Sequence, residues 1–464
     1  MFQKIEAIMF RKIEMWMFCL TIFLSVLFAI GFGTLVRQEL VGRIKAGQIS
    51  KAALFLAEIP IHLRQFIKSK SIRHSNVIVD DRFPEKAGFI GNTLEKQTYL
   101  LLPRYHGDLK EFVVELVDLK NFKVVHTWNP DITYINSIVD TSNPDFQRLN
   151  VSSPEDGLMS HPLLTSEGDL IFHLSDRKTL VRINFYSNLI WQNQVDRFHH
   201  SNEFDAEGNI WAPTHKYPYG IDQKYVGDNV ENFYDDAITK VSPDGEILFQ
   251  KSVSEIFREN GLEYLLFSVG QMSFNSDPIH LNDIQPVFQD SLYWETGDVF
   301  LSLRHQSMIL LYRPSTNEII WRGVGPFFHQ HDVDILNDHQ ILVFNNNSKN
   351  TFEGYIVDGS NEAIIYDFEM DKYIKYLPDS LAKHDVRSST QGRSQLLDDG
   401  DLFVEETNYG RILYFNKDGS LRWEYVNRAL NDTVGCVSWS RIFYKSKDVD
   451  SINKLLERKT LSNE

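Results

Sequence analysis

Residues 198–212 read FHHSNEFDAEGNIWA: two histidines, a polar stretch, an acidic turn around Gly208, then an apolar run that opens at Ile210. A glycine in such a turn supplies the positive φ that tight hairpins require. The same turn-and-strand phrase returns as EGDLIF (167–172), TGDVFL (296–301) and DDGDLFV (398–404), with NDHQILVF (337–344) as a variant lacking glycine. A second hairpin ending in an aromatic follows in most units: SNLIW at Trp191, PDGEILF at Phe249, TNEIIW at Trp321 and KDGSLRW at Trp423. An earlier unit closes in VVHTW at Trp128. Where nothing is inserted the spacing is about 40 residues, the size of a four-stranded propeller blade. Counting these signals and the long stretch 212–295 predicts an all-β, six-bladed β-propeller over residues 86–445. Helical periods between the strands are almost absent, which argues against a parallel α/β fold.

Outward from the repeat, the ends differ in texture. Trp16 to Val36 (WMFCLTIFLSVLFAIGFGTLV) is an uncharged apolar run, close to the ~20 residues a bilayer-spanning helix needs. It predicts an N-terminal transmembrane anchor over 1–37, with a cleaved signal peptide as the rival reading. Basic residues flank it on both sides, so the charges do not orient it. Residues 38–85 read as a helical linker, a stalk or a surface helix, because LVGRIKAGQISKAALFLAEIPIHLRQFIKSK carries apolar residues at helical spacing. EIFRENGLEYLLF (255–267) suggests a short inserted helix, residues 213–235 a long loop over one face, and 446–464 a loose polar tail.

The net charge of -16 argues against a nucleic-acid surface. Only Cys19 and Cys436 occur, so no disulfide framework is expected. There is no GxxxxGK[ST] loop, HExxH, CxxC or GxSxG. What remains is a set of histidines in register with the repeat: His200, His331 and, more loosely, His280, each ahead of a strand signal. Ile210 and Ile341, ten residues after His200 and His331, open apolar runs. Equivalent positions of a closed circular repeat converge on one axis, so these rings are expected in one pocket. His161 in SHPLLTSEGDL lies close to the same register, and Arg304 with His305 sits in LSLRHQSMI. A lone histidine is more often structural than catalytic; a shared register is what lifts these above that.

At these residues the chain resembles the bacterial PAPS-independent arylsulfate sulfotransferases. VVHTW is similar to that family's early V-H-T-W segment, FHHSNEFDAEGNIW to its paired-histidine segment, and DPIHLNDI (277–284) to its H-x-N segment. LSLRHQSMILLY followed by EIIWRG resembles its S-x-R strand, FHQHDVDILNDHQILVFNNN its Q-H-D segment, and SSTQGRSQLLDDGDLFVEETNYGRILYF its closing blade. The resemblance implies a six-bladed periplasmic propeller that passes a sulfuryl group from an aryl sulfate to a phenol through a sulfohistidine, with no cofactor and no metal. By the same implication His331 is the nucleophile. His280 and His200 bind sulfate oxygens or handle the phenol proton, and Arg304 holds the sulfate. His199, His305 and His161 are candidate substrate-binding residues. The turn F-D-N-G is FNNN here (Phe344 to Asn347) and the S-R that follows is SNE (360–362), which leaves the outer acceptor site in doubt. The implied partners are aryl sulfates, phenolic small molecules and, through the anchor, the inner membrane, with the propeller in the periplasm. Asp332 follows His331 directly, but strand neighbours face opposite ways, against a role in orienting the ring. Two other classes stay open: a His-ring metal enzyme, disfavoured by an arginine in the ring, and a membrane-anchored binding module without catalysis.

Overall fold

The computed structural model describes residues 14–41, 47–71, 77–142, 146, 157–174, 178–227, 233–268, 274–351 and 354–462. The chain forms two compact units, 1–74 and 75–464. Among its described residues the first holds two helices, Met15–Val41 and Gln48–Ser71. Met15–Gln38 is long and apolar enough to cross a membrane and buries none of that stretch within the protein. This fits a single-pass anchor; a signal sequence meets the same test.

The second unit is a six-bladed propeller of antiparallel sheets. Blade 2 is Met159–Leu164, Leu170–Leu174, Leu180–Ile183 and Leu189–Asn193. Blade 3 has an inner strand in two pieces, Arg197–Phe198 and Glu203–Phe204, then Ile210–His215, Asp236–Val241 and Ile247–Ser252. Blade 4 is Leu281–Pro286, Val299–Leu303, Met308–Arg313 and Glu318–Val324. Blade 5 is Val333–Ile335, Gln340–Asn345, Glu362–Asp367 and Lys372–Tyr376. Blade 6 is Arg393–Leu396, Leu402–Glu406, Arg411–Phe415 and Leu421–Val426. The turn glycines behave as their position requires; Gly208 and Gly400 sit at φ 82 and 90.

Closure uses both ends of the unit. Blade 1 is Tyr99–His106, Glu111–Asp118 and Lys123–Trp128, completed on its inner edge by the late strand Arg441–Phe443. Gly88–Gly91 in turn pairs with Leu421–Val426 as an outer fifth strand of blade 6. Neighbouring blades are tied by buried side chains that accept the next blade's amides. Asp236 takes the Leu281 amide, Asp283 that of Val333, Asp332 that of Ser394, and Glu405 those of Trp439 and Ser440. Asp332 therefore turns away from His331, as strand alternation predicts.

Two insertions match their sequence signals. Residues 253–267 contain the helices Val253–Glu259 and Tyr264–Phe267, and the excursion after His215 carries one short helix, Gln223–Val226. One expectation is corrected. Residues 446–464 were expected as a loose tail, but Ser446–Ser462 is a helix. Its Val449, Ile452 and Leu455 are buried, and the first two join the core of blades 1 and 2. Three apolar residues at helical spacing supply that face; the many charges around them hid it.

Candidate active site

One left-handed, non-glycine residue stands at or just ahead of the inner strand of every blade: Trp439, His161, His200, His280, His329 and Gln391, with φ between 49 and 64. Such a conformation costs an L-residue about 1–2 kcal/mol, and strain of this kind gathers at functional sites. It turns each of these side chains near the start of its blade's inner strand. Four of the six are histidine. In blade 5 the left-handed residue is His329, and His331 lies two positions further along.

The predicted residues come together. The His200 ring lies 5.0 Å from that of His280 and 6.3 Å from that of His331, centroid to centroid. His280 stands 4.4 Å from His305, and His305 Nε2 accepts from Arg304 at 2.6 Å. His199 Nδ1 meets His200 Nδ1 at 2.7 Å. His161 is stacked on Trp439 at 4.0 Å and is close enough for its charge to bear on His200.

Hydrogen-bond partners fix several tautomers. The Asn346 amide nitrogen donates to the Ser388 and Gln391 carbonyls, so its oxygen faces His331 Nδ1 at 2.6 Å and takes that proton. The lone pair of His331 is therefore on Nε2, where it now accepts the Gln391 backbone N–H at 2.9 Å. His280 Nδ1 donates to Asp277 at 2.6 Å, which leaves its Nε2 as the acceptor nitrogen. His305 donates from Nδ1 to the Asp277 carbonyl. Both nitrogens of His305 are thus engaged, one by Arg304 and one by the Asp277 carbonyl.

Burial sets the charges. His331 is pushed well below the ordinary histidine range by burial and then by the Arg304 charge. His200 is pushed the same way by burial and then by its neighbours His199, His280, His331 and His161. Burial, then the His280 charge, brings His305 down to about 4. Burial raises Asp277, but the hydrogen bond and charge of His280, with those of His305 and His199, hold it below the usual carboxylate range. Arg304 is buried, with its guanidinium over the Tyr355 ring at 4.8 Å. The site thus places a fixed cation beside neutral imidazoles, the set that a transferring anionic group requires.

Sequence reasoning missed Asn346, Asp277, Gln391, His215, His329 and Tyr355. Asn346 was visible only as part of the departure FNNN, and it holds the tautomer of His331. The other departure is scaffolding: Asn361 donates to the Asn346 and Ser388 carbonyls, and Glu362 accepts from Asn345. A cavity of about 480 Å3 opens at the far ends of the inner strands, lined by Gln285, Asp334, Arg393, Gln395, Arg441 and Tyr444 among others; none of the site histidines lines it.

Comparison with known proteins follows the same blades. The family described as Arylsulfotransferase (ASST) matches residues 161–428, more than half of the chain. No curated protein matches significantly. Similar solved structures include a protein of unknown function from Bacteroides caccae (10% identity, TM-score 0.45, 75% of this chain and 100% of that one). A streptogramin B lyase is also similar (9% identity, TM-score 0.38, 80% of this chain and 97% of that one). Likenesses this slight carry no argument here. From the span of the family match, which covers His161, His200, His280, Arg304 and His331, the chain belongs to the arylsulfotransferase family.

Proposed function

We propose that this chain moves a sulfuryl group from an aryl sulfate to a phenol by way of a sulfohistidine on His331, without PAPS. Family membership supports sulfotransfer from aryl sulfates in general. The observation that carries the finer reading is the His331 tautomer: Asn346 holds the proton on Nδ1 and leaves Nε2 as the nucleophile. Burial keeps that ring neutral, the competent form for attack.

In the first half-reaction Nε2 bonds to sulfur as the sulfur–aryloxygen bond breaks and the phenolate leaves. In the second, the acceptor phenol oxygen attacks the same sulfur, the N–S bond breaks, and the phenol proton passes to an imidazole acceptor. His280 Nε2 is suited to that proton, with Asp277 behind it. Arg304, braced by His305, offers its planar fork to the equatorial sulfate oxygens. His200 faces both rings and completes the oxygen contacts. The Gln391 N–H occupies the Nε2 lone pair, so substrate entry displaces it. Tyr355 over Arg304 gives the aryl group an aromatic neighbour. The apolar helix anchors the chain in the inner membrane, with the propeller on the periplasmic side.

Intact-protein mass after mixing with a nitrophenyl sulfate tests the reading. One added sulfuryl group, labile in acid and mapped to His331, is the expected result. His331→Asn should take up none and should lose turnover with the fold intact. Retention of roughly a tenth of the wild-type rate would remove His331 as the nucleophile, because a covalent step has no bypass of that size.

A further inference from the structure

Beside the transfer pocket, a second cluster has no part in the reaction above. His199 Nε2 lies 3.1 Å and His215 Nε2 3.5 Å from one oxygen, Asp236 Oδ1. His199 and Asp236 are 3% and 0% exposed. Neither His199 Nε2 nor Asp236 Oδ1 has a hydrogen-bond partner: the two approach without the alignment of an N–H···O bond. Leaving a buried polar atom unpaired costs about 1–3 kcal/mol. A third body placed between them would satisfy both at once. Metal–ligand bonds of about 2.0–2.2 Å at angles near tetrahedral put ligand atoms roughly 3.0–3.6 Å apart, and 3.1 and 3.5 Å fall in that window.

We propose that His199, His215 and Asp236 bind a divalent transition metal, with zinc the best match to two imidazoles, one carboxylate and an open fourth position. The surrounding bonds suit it. Asp236 Oδ2 is held by the Leu281 amide at 2.9 Å, which leaves Oδ1 for the ion. With the ion on Nε2, His199 carries its proton on Nδ1 and gives it to His200 Nδ1, 2.7 Å away. That fixes the proton of His200 on Nε2 as a donor, the outer-sphere role that metal-bound imidazoles commonly play.

The other acid–histidine cluster, Asp277, His280 and His305, does not fit a cation. His305 Nε2 already accepts from a guanidinium at 2.6 Å, and His280 Nδ1 is bonded to Asp277.

The metal site does not depend on the transfer reaction, and its test reads metal directly. Tag-free, full-length chain in detergent is stripped with a chelator, equilibrated with zinc and analysed for bound metal; cobalt(II) loading adds a visible spectrum. About one zinc per chain is expected, with a four-coordinate cobalt spectrum. His215→Ala should weaken zinc by more than the roughly 10–100-fold that loss of an outer-sphere partner costs, with His215→Gln as a second variant of similar size. Wild-type chain that retains under roughly a tenth of an equivalent overturns the proposal. So does zinc held as tightly by His215→Ala, or lost in His280→Ala and kept in His215→Ala.

Discussion

Asn346 illustrates how much of this site is decided by residues that stand behind its histidines. Two backbone carbonyls turn its amide, and the amide then selects which nitrogen of His331 is bare. The pH profile follows from the same ring. On the proposed mechanism, protonation of Nε2 removes the nucleophile, and burial followed by the Arg304 charge lowers the pKa from its ordinary 6.5. Activity is lost as pH falls, so a lowered pKa moves the loss to lower pH. The expected result is kcat/KM that holds steady down through pH 6.5 and declines only well below it. An acid limb centred at or above about 6.5, the value of an unperturbed histidine, would contradict a buried neutral nucleophile.

At the scale of the element, buried carboxylates join blade to blade. Asp283 is pushed up to about 7 by burial and then by Glu203, yet it still accepts the Val333 amide at 2.9 Å. Asp283→Ala leaves that buried amide without a partner and should lower unfolding free energy by about 1–3 kcal/mol, measured by denaturant melts; Asp283→Asn, which keeps an acceptor, should lose less. Equal losses in both variants would show that the hydrogen bond is not the cause. Such tethers explain what was legible and what was not. Strand, turn and blade number follow from local signals such as EGNIWA and TGDVFL; His200 and His331, and more loosely His280, ride on that register, while Arg304 was reached through the family resemblance. Asn346, Asp277 and His215 are recruited across a strand or a turn from His331, His280 and His199. No periodicity marks a side chain whose partner is fixed only by packing. The helix Ser446–Ser462 was missed for a related reason: its short apolar face has meaning only against the blades it covers.

For the whole molecule, the described residues hold one apolar helix of spanning length ahead of one closed propeller, so the proposed anchor would put all the chemistry on one side of a membrane. Protease added to spheroplasts is expected to cut between anchor and propeller and release a folded fragment. A propeller protected until the inner membrane is lysed would place the site in the cytoplasm. Closure also has a meaning in time. Blade 1 begins at Tyr99, yet its inner strand is Arg441–Phe443, so the first blade translated is the last to be finished. At about 5–20 residues per second it waits on the order of tens of seconds with an open edge, a surface on which other strands pair readily. A chain made in this order has its greatest need of a chaperone before residue 443 arrives, and a mutation in Arg441–Phe443 would be felt as poor yield long before it was felt as poor catalysis.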